Sequence, residues 1–248
     1  MRLRNFILFF PAAVALAGLS GCFIDSGSFA HTGELQTQNI SVPPGAAKSV
    51  RAHLQMGAGE LAISGGSSRL LDGTIEYNVP EWKPDMTYSV SDGEGSLRLA
   101  QPESSHSAMG GVKYNWNLHF NNAIPLDLTI EMGAGDSNLN FSGMILRSLD
   151  VKMGAGESRI DFTGNWKQNL NATLQAGVGE AHLKLPREVG VRVSVQGGLG
   201  EVDAPDFKRD GSDYVNDAYG KSPVTLDIRI AGGIGEVHLE LAGSRGIV

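Results

Sequence analysis

The chain has 248 residues, 41% of them hydrophobic, with 33 glycines, one cysteine and a formal net charge of −7. That apolar fraction supplies a substantial core, while the acidic balance excludes nucleic acid and anionic headgroups as electrostatic partners. A lone cysteine excludes an internal disulfide, so stability has to come from packing.

Arg2 and Arg4 precede an apolar run from Phe6 to Leu16, followed by Leu19-Ser20-Gly21-Cys22. A basic start, a short apolar stretch and small residues form an export signal, and the run is too short to span a bilayer comfortably. Leu-Ser-Gly-Cys resembles the bacterial lipoprotein lipobox, which implies that Cys22 is acylated and becomes the mature N-terminus; the alternative is a plain secretory signal with a leftover thiol. Residues 1–21 are then a signal peptide, and removing them leaves 227 residues with a formal charge of −9. Residues 22–40 read as the lipidated N-terminus and a flexible tether, since Asp25 to Glu34 has little apolar periodicity. The expected location is the cell envelope, facing periplasm or exterior, with the lipid bilayer as a partner through Cys22. Phe23 stands where an Asp commonly signals inner-membrane retention, which favours the outer membrane in a cell that has one.

Residues 41–127 read as an N-terminal β section. Strand-like runs at Gly73–Tyr77, Leu97–Ala100 and Lys113–Phe120 surround a break from Pro80 to Asp85, and Tyr114, Trp116, Leu118 and Phe120 share one face. Residues 128–248 read as a repeat. Gly, a small or apolar residue, Gly and an acid recur at Gly57-Ala58-Gly59-Glu60, Gly133-Ala134-Gly135-Asp136, Gly154-Ala155-Gly156-Glu157, Gly177-Val178-Gly179-Glu180, Gly198-Leu199-Gly200-Glu201 and Gly233-Ile234-Gly235-Glu236. Copies two to five are spaced by 21, 23 and 21 residues. A nearly fixed period of that size marks coils that bury their apolar faces only by stacking. The predicted fold is all-β, a parallel β-solenoid (β-helix-like) of about six coils with Gly-x-Gly-Glu/Asp corners. Glycine suits such a corner because it accepts positive φ and permits close approach of neighbouring coils.

Aligned columns sharpen this expectation. The residue before the first glycine runs Met56, Met132, Met153, Ala176, Gly197, Gly232, and the residue between the glycines runs Ala58, Ala134, Ala155, Val178, Leu199, Ile234. Where one is large the other is small, which predicts that both point into one core space. Leu61 and Ile63, with their counterparts in later coils, take the next inward slots. Phe141-Ser142-Gly143 and Phe162-Thr163-Gly164 make a further corner, and the 35-residue separation of copies five and six predicts a protruding loop at Lys208–Ser222.

Met56-Gly-Ala-Gly-Glu-Leu61 followed by Ile63-Ser-Gly-Gly66, then Leu70-Leu-Asp-Gly-Thr74, the repeated corners, Tyr214-Val-Asn216 and a closing Gly235-Glu236 together resemble the toast-rack β-solenoids related to the LiaF C-terminal domain. The resemblance spans roughly Ser41 to the C-terminus. It implies the fold, a place in the bacterial envelope and an association with the response to cell-wall-active antibiotics. LiaF-like proteins carry membrane helices, whereas this chain has a lipobox.

The acid column Glu60, Asp136, Glu157, Glu180, Glu201 and Glu236 is the first candidate site. Acids in register would stand about 5 Å apart and repel by about 0.8 kcal/mol in water, or about 3 kcal/mol at an effective dielectric near 20. Relief comes either from Ca2+, which takes several oxygen ligands, or from splayed side chains, basic neighbours and backbone N–H donors, the structural reading. A second candidate, a partner-binding surface, comprises Arg159, His182, Asp203, Tyr214 and His238. His182 and His238, separated by the fifth coil, would lie about 10 Å apart, too far to share a metal directly. No catalytic residue and no cofactor is expected: serine-nucleophile motifs are absent, and Gly-x-Gly here leads into a strand instead of a helix. The reading is a non-catalytic envelope protein presenting a rigid interaction surface to an envelope partner, in stress response or adhesion. The alternative is a glycan-active or cation-binding β-solenoid enzyme or module of the envelope, the enzyme being marked by a groove beside 208–222 or Lys113–Phe120.

Overall fold

Alternating apolar and polar residues make nearly all of the described chain extended. The structure, a computed structural model, describes residues 31–103, 110–197 and 200–243. Cys22, the signal segment and Leu199 lie outside the described residues. Fourteen strands follow one another: β1 (Gln36–Val42), β2 (Ser49–Ser67), β3 (Leu71–Tyr77), β4 (Asp85–Ser91), β5 (Glu94–Ala100), β6 (Tyr114–Asn121), β7 (Leu126–Asn140), β8 (Leu146–Asp161), β9 (Leu170–Leu185), β10 (Gly190–Gly197), β11 (Val202–Asp203), β12 (Lys208–Asp210), β13 (Asp213–Val215) and β14 (Thr225–Leu241). Pro80–Trp82 forms a 3-10 turn, and the sheet already begins at Gln36, within the stretch read as a tether.

The centre of the sheet is parallel. β2, β7, β8, β9 and β14 lie side by side in that order, each carrying one Gly-x-Gly-acid copy at mid-length. Copies stack in register, so Glu60 pairs with Asp136, Glu157 with Glu180 and Glu180 with Glu236. The ends are not parallel. β4 pairs antiparallel with β5, β1 with β3, β3 with β6, and β12 with β13. The wholly parallel sheet expected from the repeat is therefore corrected to a mixed sheet: short turns reverse the chain between β4 and β5 and between β12 and β13, while β3 runs antiparallel to both β1 and β6.

The order of the last two copies also differs from the expectation. β14, with copy six, lies between β9 and the strands of copy five, β10 and β11. β14 pairs with β9 from Leu226 to Leu241, whereas copy five is broken into Gly190–Gly197 and Val202–Asp203. The longer strand, with two edges to satisfy, takes the interior place.

At each corner the apolar alternation slips by one residue. In β7, Leu128, Ile130 and Met132 are buried before the corner, and Ser137 and Leu139 after it. The residue between the glycines consequently points outward: Ala58, Ala134 and Ala155 are exposed, and Val178 is 56% exposed. This corrects the expectation that this column enters the core. Its physical cause is the second glycine, at φ +120 in Gly135 and +133 in Gly156, which reverses the facing of the chain. The methionine tips fill the corner beneath it; the exchange of volume between the two columns has no explanation in shared packing. Elsewhere in the core, Tyr114 meets Trp82 and Trp116 edge-on at 5.6 and 5.8 Å, and Phe141 meets Phe162 at 5.7 Å.

Residues 208–222, expected to protrude, instead cover a sheet edge. β13 pairs with β10, and β12 pairs with β13. Tyr214 and Asn216 are buried.

Candidate functional site

After each corner the strands present residues 136, 138 and 140 of β7 outward, and their counterparts in the neighbours. The acid row runs Asn115, Glu60, Asp136, Glu157, Glu180, Glu236 across β6, β2, β7, β8, β9 and β14. Glu201 continues the row; its carbonyl accepts a hydrogen bond from the Val237 N–H at 3.0 Å. The next row carries Asn138, Arg159, His182, His238 and Asp203. With strands about 4.8 Å apart, six strands span roughly 24 Å of nearly flat, polar face.

Several kinds of contact relieve the repulsion in the acid row. The Glu157 N–H donates to Asp136 Oδ1 at 3.3 Å. Arg159 pairs with Glu157 Oε1 at 2.5 Å. His182 Nε2 lies 3.3 Å from Glu157 Oε1 and 3.3 Å from Glu180 Oε2. His238 reaches Glu236 at 3.4 Å and Asp203 at 3.5 Å. Basic neighbours and a backbone donor, one of the two kinds of relief the sequence allows, are thus present along the row.

The largest departure concerns the histidines. With β14 directly beside β9, His182 and His238 are register partners, and their rings stack 4.6 Å apart at 6° between planes. The expected separation of about 10 Å is overturned, because it assumed that spatial order follows chain order. Arg159, His182, His238 and Asp203 gather on one face. Tyr214 does not join them: it is buried in the hairpin beneath the Arg209 guanidinium, 3.9 Å from its ring centre, so its place in a partner surface is withdrawn.

Two recesses open on this face. One, of about 360 Å³, involves Arg159, Asp161, His182, Lys184 and His238. The other, of about 420 Å³, lies beside β6 among Asn115, Asn117, Glu60, Asp136 and Arg159. The asparagines of β6 alternate with the buried Tyr114, Trp116 and Leu118, and their alignment with Glu60 depends on a parallel β2–β6 pairing that no repeat announces. On the other half of the strands, a polar cluster unites Lys152 and His53 around Glu131 at 3.0 and 3.3 Å. Lys152, by donating to Glu131, holds that carboxyl below the usual range. Among the described residues no helix is long and apolar enough to cross a membrane.

The family described as the N-terminal domain of toast_rack, DUF2154, matches residues 31–184. No curated protein sequence matches the chain. Among solved structures, a candidate cell adhesion protein from Clostridium sporogenes is 32% identical with a TM-score of 0.81, over 84% of this chain and 100% of that one. A candidate adhesin from Bacteroides fragilis is 12% identical with a TM-score of 0.32, over 82% and 97%. A candidate lipid binding protein from Parabacteroides distasonis is 9% identical with a TM-score of 0.29, over 82% and 97%. By the match over residues 31–184 and the relative at 32% identity, the chain belongs to the toast_rack family.

Proposed function

We propose that this is a non-catalytic protein of the bacterial envelope, anchored by a lipid on Cys22, that offers the outward face after the corners to a protein partner. The observation that carries the reading is the in-register row of acids beside Arg159, His182 and His238: repetition in coil after coil suits a rigid binding face better than a single reacting centre. The similarity to a candidate cell adhesion protein supports the same class of role. Anchoring is tested by metabolic labelling with an alkyne fatty acid and membrane fractionation. Label and membrane retention should both be lost in Cys22→Ser, and a label that survives defeats the anchor. The partner is sought by in-cell photocrosslinking from position 138 or 203, which flank the histidines. One recurring envelope protein is the expected adduct, and only self-adducts or none would defeat the partner reading.

A second reading rests on the recess beside β6, where the Asn115 and Asn117 amides stand next to the Glu60 and Asp136 carboxylates. Amide and carboxylate side chains on a flat face are suited to hydrogen-bonding sugar hydroxyls. Glycan-array binding that disappears in Asn117→Ala would favour it.

A further inference from the structure

The geometry points to a binding site for a divalent transition-metal ion at Glu157, Glu180 and His182, with Zn2+ the natural probe. Glu157 of β8 and Glu180 and His182 of the neighbouring β9 each offer one ligand atom, and these three atoms lie within 4.8 Å of one another. Both carboxylates approach the same ring nitrogen, each at 3.3 Å. That nitrogen carries at most one hydrogen, which cannot point well at two acceptors on different strands. An ion bound between them uses a lone pair from each. In a tetrahedral zinc site with bonds of about 2.0–2.1 Å, neighbouring ligand atoms stand about 3.3–3.4 Å apart, the separation found here between nitrogen and each oxygen. The donor set also discriminates: an imidazole nitrogen with two carboxylates suits a borderline ion, whereas Ca2+ requires six to eight oxygens. The side chains of His182, Glu157 and Glu180 are 37%, 29% and 53% exposed, so an ion enters from solvent and water completes its shell.

His238 is assigned as a positioning residue. Its ring is parallel to that of His182, so the in-plane lone pairs of the two rings cannot converge on one ion. Stacking instead fixes the plane of His182, and His238 is held in turn by Glu236 and Asp203. Arg159 is a competitor, since its guanidinium occupies the Glu157 oxygen that an ion would take. Another outward histidine serves as an internal control: His53 meets one carboxylate, Glu131, which Lys152 already neutralises.

The test is titration calorimetry of the untagged full chain carrying Cys22→Ser, to remove the thiol, with Zn2+ in a non-chelating buffer and with excess Ca2+ as competitor. One ion per chain is expected, undisturbed by Ca2+. His182→Ala should weaken binding by more than about a hundredfold and His238→Ala by about 10- to 100-fold, with His238→Phe restoring much of the loss by keeping the stack. Arg159→Ala should tighten binding, and His53→Ala should leave it unchanged. Circular dichroism establishes that each variant is folded; Glu157→Gln and Glu180→Gln, which keep shape, give a second route to the same loss. Absence of binding heat, displacement by Ca2+, or equal affinity in the His182→Ala and paired Gln variants would overturn the assignment.

Discussion

A methyl group placed on Gly156 would sit 1.8 Å from the carbonyl oxygen of Gly135, in a residue already at φ +133. Neither the backbone conformation nor the neighbouring strand tolerates it. Backbone strain of this kind costs about 1–3 kcal/mol, and relieving the clash requires the strands to part. Gly156→Ala is therefore expected to lower the unfolding free energy by at least about 3 kcal/mol in urea titrations. Ala155→Val, one position earlier, should change it by less than about 0.5 kcal/mol, because position 155 is exposed and Val178 fills the same place in the next coil. Equal effects of the two substitutions would contradict the corner described above. At Glu131 the prediction concerns pH. Hydrogen bonding from Lys152, and secondarily from His53, lowers its folded pKa from 4.5. Its contribution is present above that value and is lost as pH falls through the depressed folded pKa. Glu131→Gln should remove that part of the acid limb of stability, by no more than about 1 kcal/mol at this surface position, as read from urea midpoints between pH 3 and 7.

Among the elements, the edge hairpin is joined to the stack by the β10–β13 ladder and by Asn216. Its Oδ1 accepts from the Val191 N–H at 3.0 Å, and its Nδ2 donates to the Val189 carbonyl at 2.8 Å and approaches that of Pro186 at 3.3 Å. Asn216→Ala would strand these buried groups, at a cost of about 2–3 kcal/mol in urea unfolding; a loss under 0.5 kcal/mol would show that water replaces the side chain. Tyr214-Val-Asn216 was visible as a motif, yet nothing in the sequence says that Asn216 is buried and Tyr214 covered. What the repeat made legible was the register of the acids, because copies aligned by sequence are aligned in space. It could not reveal that copy six lies inside copy five, since a period gives spacing along the chain and not order across a sheet. The His182–His238 stack was hidden for that reason alone. The outward turn of Ala58 and Ala134 was hidden for another: a one-residue slip at glycine inverts the alternation on which facing is read.

For the whole molecule, the governing problem is that a stack of parallel strands ends in unpaired backbone groups that can template another chain. On the β10 side the protein answers with a short hairpin whose outer strand, Lys208–Asp210, is three exposed charged residues. The other connections between parallel strands show that this excursion is not needed for connectivity: residues 141–145 join β7 to β8, and residues 162–169 join β8 to β9. Replacing residues 205–223 with an eight-residue flexible linker should therefore leave β14 seated on β9 while uncovering β10 and deleting Asn216. The expected result is a folded protein, less stable by at least the loss assigned to Asn216, that associates with rising concentration in light scattering while the parent chain under the same conditions does not change. Association should be suppressed by placing lysine at Ser194, which faces the vacated hairpin and hydrogen-bonds Asp213 in the parent. A shortened protein with the same concentration dependence as its parent would mean that the hairpin serves stability alone, and that the edge of β10 is protected by its own brevity and twist.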